Sequence, residues 1–372
     1  MEKHYAFVGS WSIKDEPHGL SIFSFQLETA EMVYLKTISE AACVGCQYLD
    51  RDTKRLYITN EGSFHRAGAR GGQVLGFQIG TGENILVPFT QQETLLPKPS
   101  FLTMTKEKDF LLASIHGNRG AVTKLVKRKD GTLSSVSVPD DAGLALFPVD
   151  SDGTIGELAD LYVTTRDRLS HQHCVQSDPS GKLFLACDKG LDVIHSFALD
   201  RDSKKLILLR TTPVTPGSLP RYAAFHPVKP FFLENNEHDL HIYSYRYDTS
   251  SGEIELIEKH LILEGAASDA SGIMPSDLFI HPNGETAYVS VRGADLVIVL
   301  SVCENGSFRC VQSINCGGKN PRGLCLSPDG RFLLSANIGS ETITAMRILE
   351  NGQLCSAKEV ARAHLPGNLT IY

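Results

Sequence analysis

Ser327-Pro-Asp-Gly-Arg-Phe-Leu-Leu-Ser-Ala336, then Glu341-Thr-Ile-Thr-Ala-Met346, then Glu350-Asn-Gly-Gln-Leu354 hold the unit from which the chain is built. A Pro-x-Gly turn opens a continuous apolar strand, an alternating strand follows, and an Asn-Gly turn leads into another. Proline presets the backbone at the start of a turn and glycine supplies the left-handed conformation at its end. Asn-Gly between alternating segments is a strong hairpin signal.

The same unit recurs upstream. Asp178-Pro-Ser-Gly-Lys-Leu-Phe-Leu-Ala186 and His281-Pro-Asn-Gly-Glu-Thr-Ala-Tyr-Val-Ser290 repeat the turn and apolar strand, with weaker copies from Asp50, Thr105 and His226. The hairpin unit occurs seven times, at Gly19, Gly72, Gly120, Leu191, Asp239, Ala294 and Glu341. Spacing is about 46–56 residues, except for one longer gap. Four short strands at this period describe a blade of a β-propeller. Two sandwiches would not keep one register along the chain, and a β-solenoid needs a shorter repeat. Seven hairpins but six turn-and-strand units are what a ring gives when one blade is shared by both ends. Tyr5-Ala-Phe-Val-Gly-Ser10 then completes the sheet begun at the C-terminal end, and closure removes free edges. The expected fold is all-β, a single seven-bladed propeller over residues 1–372. An inserted segment is expected at about 137–169, where Leu144-Ala-Leu-Phe147 must pack against something.

The repeat also serves as a ruler. Six residues before the turn proline, or its counterpart, the innermost strands open with Gly45, Ser100, His173, Arg221, Ser276 and Arg322. The second strands end at Glu61, His116, Lys189, Glu237, Arg292 and Ile338. Two rings at one channel mouth thus gather histidines, two acids and several cations about one axis. A cleft with convergent charged groups is the default place for a binding or catalytic site.

Composition narrows the partners. Lys and Arg number 36 against 43 Asp and Glu, a net charge of −7, so no basic excess is available for a phosphate backbone and no nucleic-acid partner is expected. No apolar run is long enough to span a bilayer, so no membrane association is expected. The opening Met1-Glu-Lys-His4 runs straight into a strand and does not read as a signal peptide. The nine cysteines are an odd number in a chain too large to need staples, and Cys43-Val-Gly-Cys46 has no second pair at zinc-finger distance. Buried thiols in a reducing cytoplasm are the expectation. His171 and His173 share a face of an extended strand, but with Glu237 they fall short of a metal site in so cationic a ring. No metal or cofactor is expected.

His171-Gln-His173, Pro220-Arg221-Tyr222-Ala-Ala-Phe-His226-Pro227, Asn236-Glu237, Val289-Ser-Val-Arg292-Gly293 and Pro321-Arg322-Gly323 stand in an order that resembles the lactonase family of seven-bladed propellers. That family includes cycloisomerase-type 6-phosphogluconolactonases and carboxy-muconate lactonizing enzymes. The resemblance runs from Phe7 to Asn337 and implies a site of His173, Arg221, Glu237 and Arg292. Arg322 and Lys189, from the two rings, and His171, two residues before His173, are expected within reach of substrate. Three positions depart from the family pattern: Tyr222 stands where His is usual, Val291 where Asn is usual, and Ser114-Ile-His116-Gly117 where Ala-Asn-Tyr-Gly is usual.

Opening a lactone needs an activated water and a stabilised oxyanion. That chemistry suits His173 as base, with Glu237 expected to orient its imidazole and arginines to hold a phosphate, a carboxylate or the oxyanion. A small-molecule lactone, 6-phosphogluconolactone foremost, is the expected substrate. The alternatives are cycloisomerisation of a muconate and a non-catalytic platform, which would present an exposed apolar face rather than an open charged mouth.

Overall fold

The computed structural model describes residues 3–12, 18–40, 42–62, 71–118, 121–139, 141–164, 170–263 and 272–372. Among them every regular element is a strand. Twenty-eight of the thirty strands form seven four-stranded antiparallel sheets. The seven inner strands are Val44–Asp50, Pro99–Met104, Gln172–Ser177, Pro220–Phe225, Met274–Ile280, Pro321–Leu326 and Pro366–Ile371. Each touches the next and the last returns to the first, so the sheets close a ring of blades around one channel.

Local chemistry explains the strand boundaries. In the Pro-x-Gly turns Gly181, Gly284 and Gly330 take φ of 76°, 78° and 71°, and each N–H donates to the carbonyl three residues back. A side chain there strains the turn, so glycine is favoured, although Lys108 takes the same conformation (φ 62°) in a weaker copy. Second strands such as Phe110–Ile115 and Phe231–Asn236 are buried along their whole length because neighbouring blades cover both faces. Outer strands such as Phe308–Asn315 lie largely in solvent. That gradient is the continuous-then-alternating pattern seen in the sequence. The core comprises apolar layers between adjacent blades; the largest runs from Cys174 through Phe232 and Tyr243 to Val289 and Leu300.

Closure occurs as expected from the sequence. His4–Ser10 pairs antiparallel with Pro366–Ile371, aligning Val8 with Leu369 and Ala6 with Ile371. Asn368 stitches this blade to the next: its Nδ2 donates to the carbonyls of Val44 (2.8 Å) and Gly45 (3.1 Å), and its Oδ1 accepts from Gln47 Nε2 at 2.6 Å.

One repeat was misassigned from the sequence. The strand expected after Gly120 belongs to no blade: Ala121–Lys127 pairs with Leu133–Pro139 in a separate two-stranded sheet. The third strand of that blade is Ala142–Pro148, and Asp160–Thr164 is its fourth. The extra element is therefore the hairpin at 121–139, which overlaps the expected 137–169 stretch only at residues 137–139. Leu144–Phe147 is buried blade core, because an inner position between two blades selects a continuous apolar run over an alternating one. Residues 140 and 165–169 of the expected insertion lie outside the described residues.

Candidate active site at the channel mouth

A break in strand register aims side chains into the channel. Between Gln172 and Cys174, Pro220 and Tyr222, Pro321 and Gly323, and Pro99 and Phe101, the inner strand carries one residue more than its neighbour. His173, Arg221, Arg322 and Ser100 are the extra residues. Such bulges re-aim a side chain and free a backbone N–H. The second strand supplies acceptors for the freed donors: Thr59 Oγ1 takes Cys46 N–H (2.9 Å), Asn235 Oδ1 takes Tyr222 N–H (3.0 Å), and Ser290 Oγ takes Asp277 N–H (2.9 Å).

The second ring is fixed equally firmly. The N–H groups of Trp11, Glu61, His116, Lys189, Glu237 and Ile338 donate to the carbonyls of Leu365, Cys43, Lys98, His171, Leu219 and Asn320, the same link in six blades. In the remaining blade Arg292 pairs directly with Met274.

One cavity at this mouth is lined by Trp11, Ser12, Glu61, Lys98, Ser100, His116, His173, Lys189, Arg221, Glu237, Arg292 and Arg322. Six of the residues singled out from the sequence meet there: His173, Arg221, Glu237, Arg292, Arg322 and Lys189. His171 lies behind the wall; its Nδ1 bonds the His116 carbonyl at 2.9 Å and its ring stacks on His116 with centroids 4.3 Å apart. Ile338 shares the second-ring backbone link without lining the cavity. Val291 is core, and Tyr222 packs edge-on to His173 at 5.4 Å and to Phe101 at 5.2 Å, so neither departure reaches the cavity. His116 does, with Nδ1 3.0 Å from the Gly117 carbonyl. Sequence reasoning missed Trp11, Ser12 and Lys98. Trp11 follows the strand ending at Ser10 and is the second-ring member of the seventh blade, whose two inner strands come from opposite ends of the sequence.

Glu237 is held by two cations, with Oε2 2.5 Å from Lys189 Nζ and Oε1 2.9 Å from Arg292 Nη2. The expectation that it orients the His173 imidazole is therefore corrected: both oxygens are taken by charges that outcompete a neutral imidazole N–H. Burial pushes the Glu237 carboxyl up, but Lys189, Arg221 and Arg292 outweigh it and hold the group far below the usual carboxylate range. Burial, then the Arg221 charge, pulls Arg292 down to about 10. Burial depresses His173 well below its ordinary value, and Arg221, Lys189, His116 and Arg322 depress it further. His173 is thus neutral at physiological pH, and its buried Nδ1 has no hydrogen-bond partner. Among the described residues no group of three or more His, Cys, Asp or Glu is arranged to hold a metal. Among the same described residues no helix is long and apolar enough to cross a membrane.

The profile of the seven-bladed β-propeller lactonases matches residues 5–370. The chain belongs to that lactonase family. Its place there makes it an enzyme of the lactonase type. A 6-phosphogluconolactonase of Formosa agariphila is 23% identical over 94% of both chains, and that of Bacillus subtilis is 25% identical over 91% of this chain and 89% of its own. Among solved structures, a periplasmic gluconolactonase of Pseudomonas aeruginosa superposes with a TM-score of 0.83 at 18% identity, covering 100% of this chain and 99% of its own. A Bacteroides fragilis protein described as a putative 6-phosphogluconolactonase gives 0.78 at 23%, covering 100% and 98%. At these identities the superpositions show the fold.

Proposed function

We propose that this lactonase hydrolyses the ring ester of an anionic sugar lactone, 6-phosphogluconolactone foremost. The observation that carries the reading is a neutral histidine, His173, set among five cationic side chains and only two carboxylates in one cavity. The names of the relatives support the same substrate.

A neutral imidazole is free to take the proton of the attacking water. Its cationic form is disfavoured by the surrounding charges, and a bound anionic substrate offsets them. As water adds to the lactone carbon, negative charge grows on the carbonyl oxygen; Arg292 and Lys189, anchored by Glu237, stabilise it. The tetrahedral intermediate then expels the ring oxygen, which takes the proton back from His173 as the sugar acid leaves. His171 supports His116 in the wall rather than touching substrate.

The test is the consumption of freshly prepared 6-phosphogluconolactone, followed as acid release above the buffer rate. Acceleration is expected. No acceleration, with conversion of a muconolactone instead, would make the protein a cycloisomerase; inertness towards both would leave the platform reading.

A further inference from the structure

The buried cations of the mouth fall into two kinds. Lys189 and Arg292 share the two oxygens of Glu237. Arg221 and Arg322, which are 1% and 6% exposed, form no ion pair with any carboxylate among the described residues. Arg221 Nη1 donates to the Ser276 carbonyl (2.5 Å), and its buried Nε has no partner. Arg322 Nη1 donates to the Gly367 carbonyl at 2.9 Å. Each guanidinium lies against an aromatic face, Arg221 over Tyr222 at 4.5 Å and Arg322 over Trp11 at 4.2 Å. Asp277, a buried carboxyl that feels both arginines, spends its oxygens on the N–H groups of Leu278 (2.9 Å) and Leu324 (2.7 Å). Glu61 accepts the Trp11 indole N–H at 3.1 Å and acts on Arg322 through space, without an ion pair to it.

Stacking on an aromatic face immobilises a guanidinium while leaving its N–H edge for a ligand. The small Ser276 stands between the two arginines in the ring, its hydroxyl donating to the Arg322 carbonyl at 2.9 Å. Gly367 makes the Trp11–Arg322 stack possible: a Cβ there would lie 2.5 Å from Trp11 Cβ and 3.2 Å from Arg322 Nη1. Two deeply buried guanidinium groups with no ion-paired carboxylate favour an anion in the cavity they line.

We propose that Arg221 and Arg322 form the seat of the substrate's phosphate monoester, with Trp11 as its wall, whereas Lys189, Glu237 and Arg292 serve the ester being opened. This rests on the lactonase reading for the identity of the ligand, but the seat binds a phosphate monoester whether or not turnover follows. Planar guanidinium forks match phosphate oxygens bidentately, and a neutral hydroxyl in the same place would leave both charges uncompensated.

Trp11 is the sole tryptophan of the chain, so its emission reports the seat directly. The probes are 6-phosphogluconate, gluconate and inorganic phosphate, titrated against wild type, Arg221→Gln, Arg322→Gln and Arg322→Lys, each checked by thermal melting. 6-Phosphogluconate and phosphate are expected to shift Trp11 emission saturably. Arg322→Gln should weaken 6-phosphogluconate by about 10–100-fold, the loss that removing one charged bidentate contact produces, with Arg322→Lys between it and wild type. Gluconate should bind weakly to all four proteins. Equal affinity for 6-phosphogluconate and gluconate, or equal weakening of both by Arg322→Gln, would overturn the seat. Tight 6-phosphogluconate binding without lactone turnover would uphold the seat and reject the hydrolytic reading alone. Equal turnover of phosphorylated and unphosphorylated lactones by wild type and Arg322→Gln would do the reverse.

Discussion

Replacing Glu237 with Gln removes one negative charge that answers two buried positive ones. The side chains of Glu237 and Lys189 are each 9% exposed and that of Arg292 is 14% exposed. Breaking a buried pair by deleting one partner costs about 3–5 kcal/mol, because the surviving charge stays buried. Here the amide oxygen can still accept from one cation while its NH2 faces the other, and the cavity admits water. The cost therefore falls at or just below that range, about 2–3 kcal/mol. Lys189→Met in the Glu237→Gln background should restore about 1–2 kcal/mol of this, since it removes one stranded charge. The pH dependence has a definite sign. The folded-state pKa of Glu237 is depressed, so its stabilisation is complete above the unfolded carboxylate value of about 4.3 and is lost as pH falls further. Urea unfolding followed by Trp11 fluorescence should show a constant gap between wild type and Glu237→Gln from about pH 8 to 5, closing below about pH 4. A Glu237→Gln protein within about 0.5 kcal/mol of wild type at pH 7 would refute the ion triad, as would a gap unchanged at pH 3.

His173 has the opposite origin but the same acid-side sign: its depressed pKa means the unfolded chain takes up a proton near pH 6.5 that the folded one refuses. Wild type should therefore lose about 1.3 kcal/mol more than His173→Gln between pH 7.5 and 5.5, read from urea midpoints. Asn368→Ala deletes the three hydrogen bonds that tie the closing blade to its neighbour and should cost about 2–3 kcal/mol without changing the cavity's charges. Gly367→Ala must displace Trp11 or Arg322, so Trp11 emission should shift and phosphate-monoester affinity fall by about tenfold while the melting temperature moves little.

The charge pattern makes functional sense on the scale of the whole molecule. A protein of net charge −7 concentrates five cations at one narrow mouth. Low-dielectric walls focus that field, drawing in small anions while the acidic exterior repels polyanions.

Much of this was legible in the sequence because the backbone demanded particular residues. Glycine is favoured at the left-handed turn ends Gly181, Gly284 and Gly330, so those positions mark the repeat, and the repeat indicates which residues face the channel. That is why His173, Arg221, Arg322 and Glu237 could be placed before any coordinates. The strand after Gly120 was misassigned because it alternates as a half-buried strand should, although the true third strand, Ala142–Pro148, reads as continuous core. Trp11 escaped because no turn joins the two inner strands of its blade. The partner of Glu237 escaped for a different reason: the repeat fixes Cα positions, whereas the reach of Lys189 and Arg292 from flanking blades is a property of long side chains in three dimensions. Trp11 could have been found by carrying the second-ring register through the closure, one residue past Ser10.

The decisive measurement is kcat for 6-phosphogluconolactone opening by wild type and His173→Gln, both verified as folded by Trp11 emission and thermal melting. The expected result is a wild-type rate well above the spontaneous one that falls by about 10²–10⁴-fold in the variant, the usual contribution of a positioned general base. Equal rates for the two proteins, or no wild-type acceleration at all, would contradict lactone hydrolysis by this histidine.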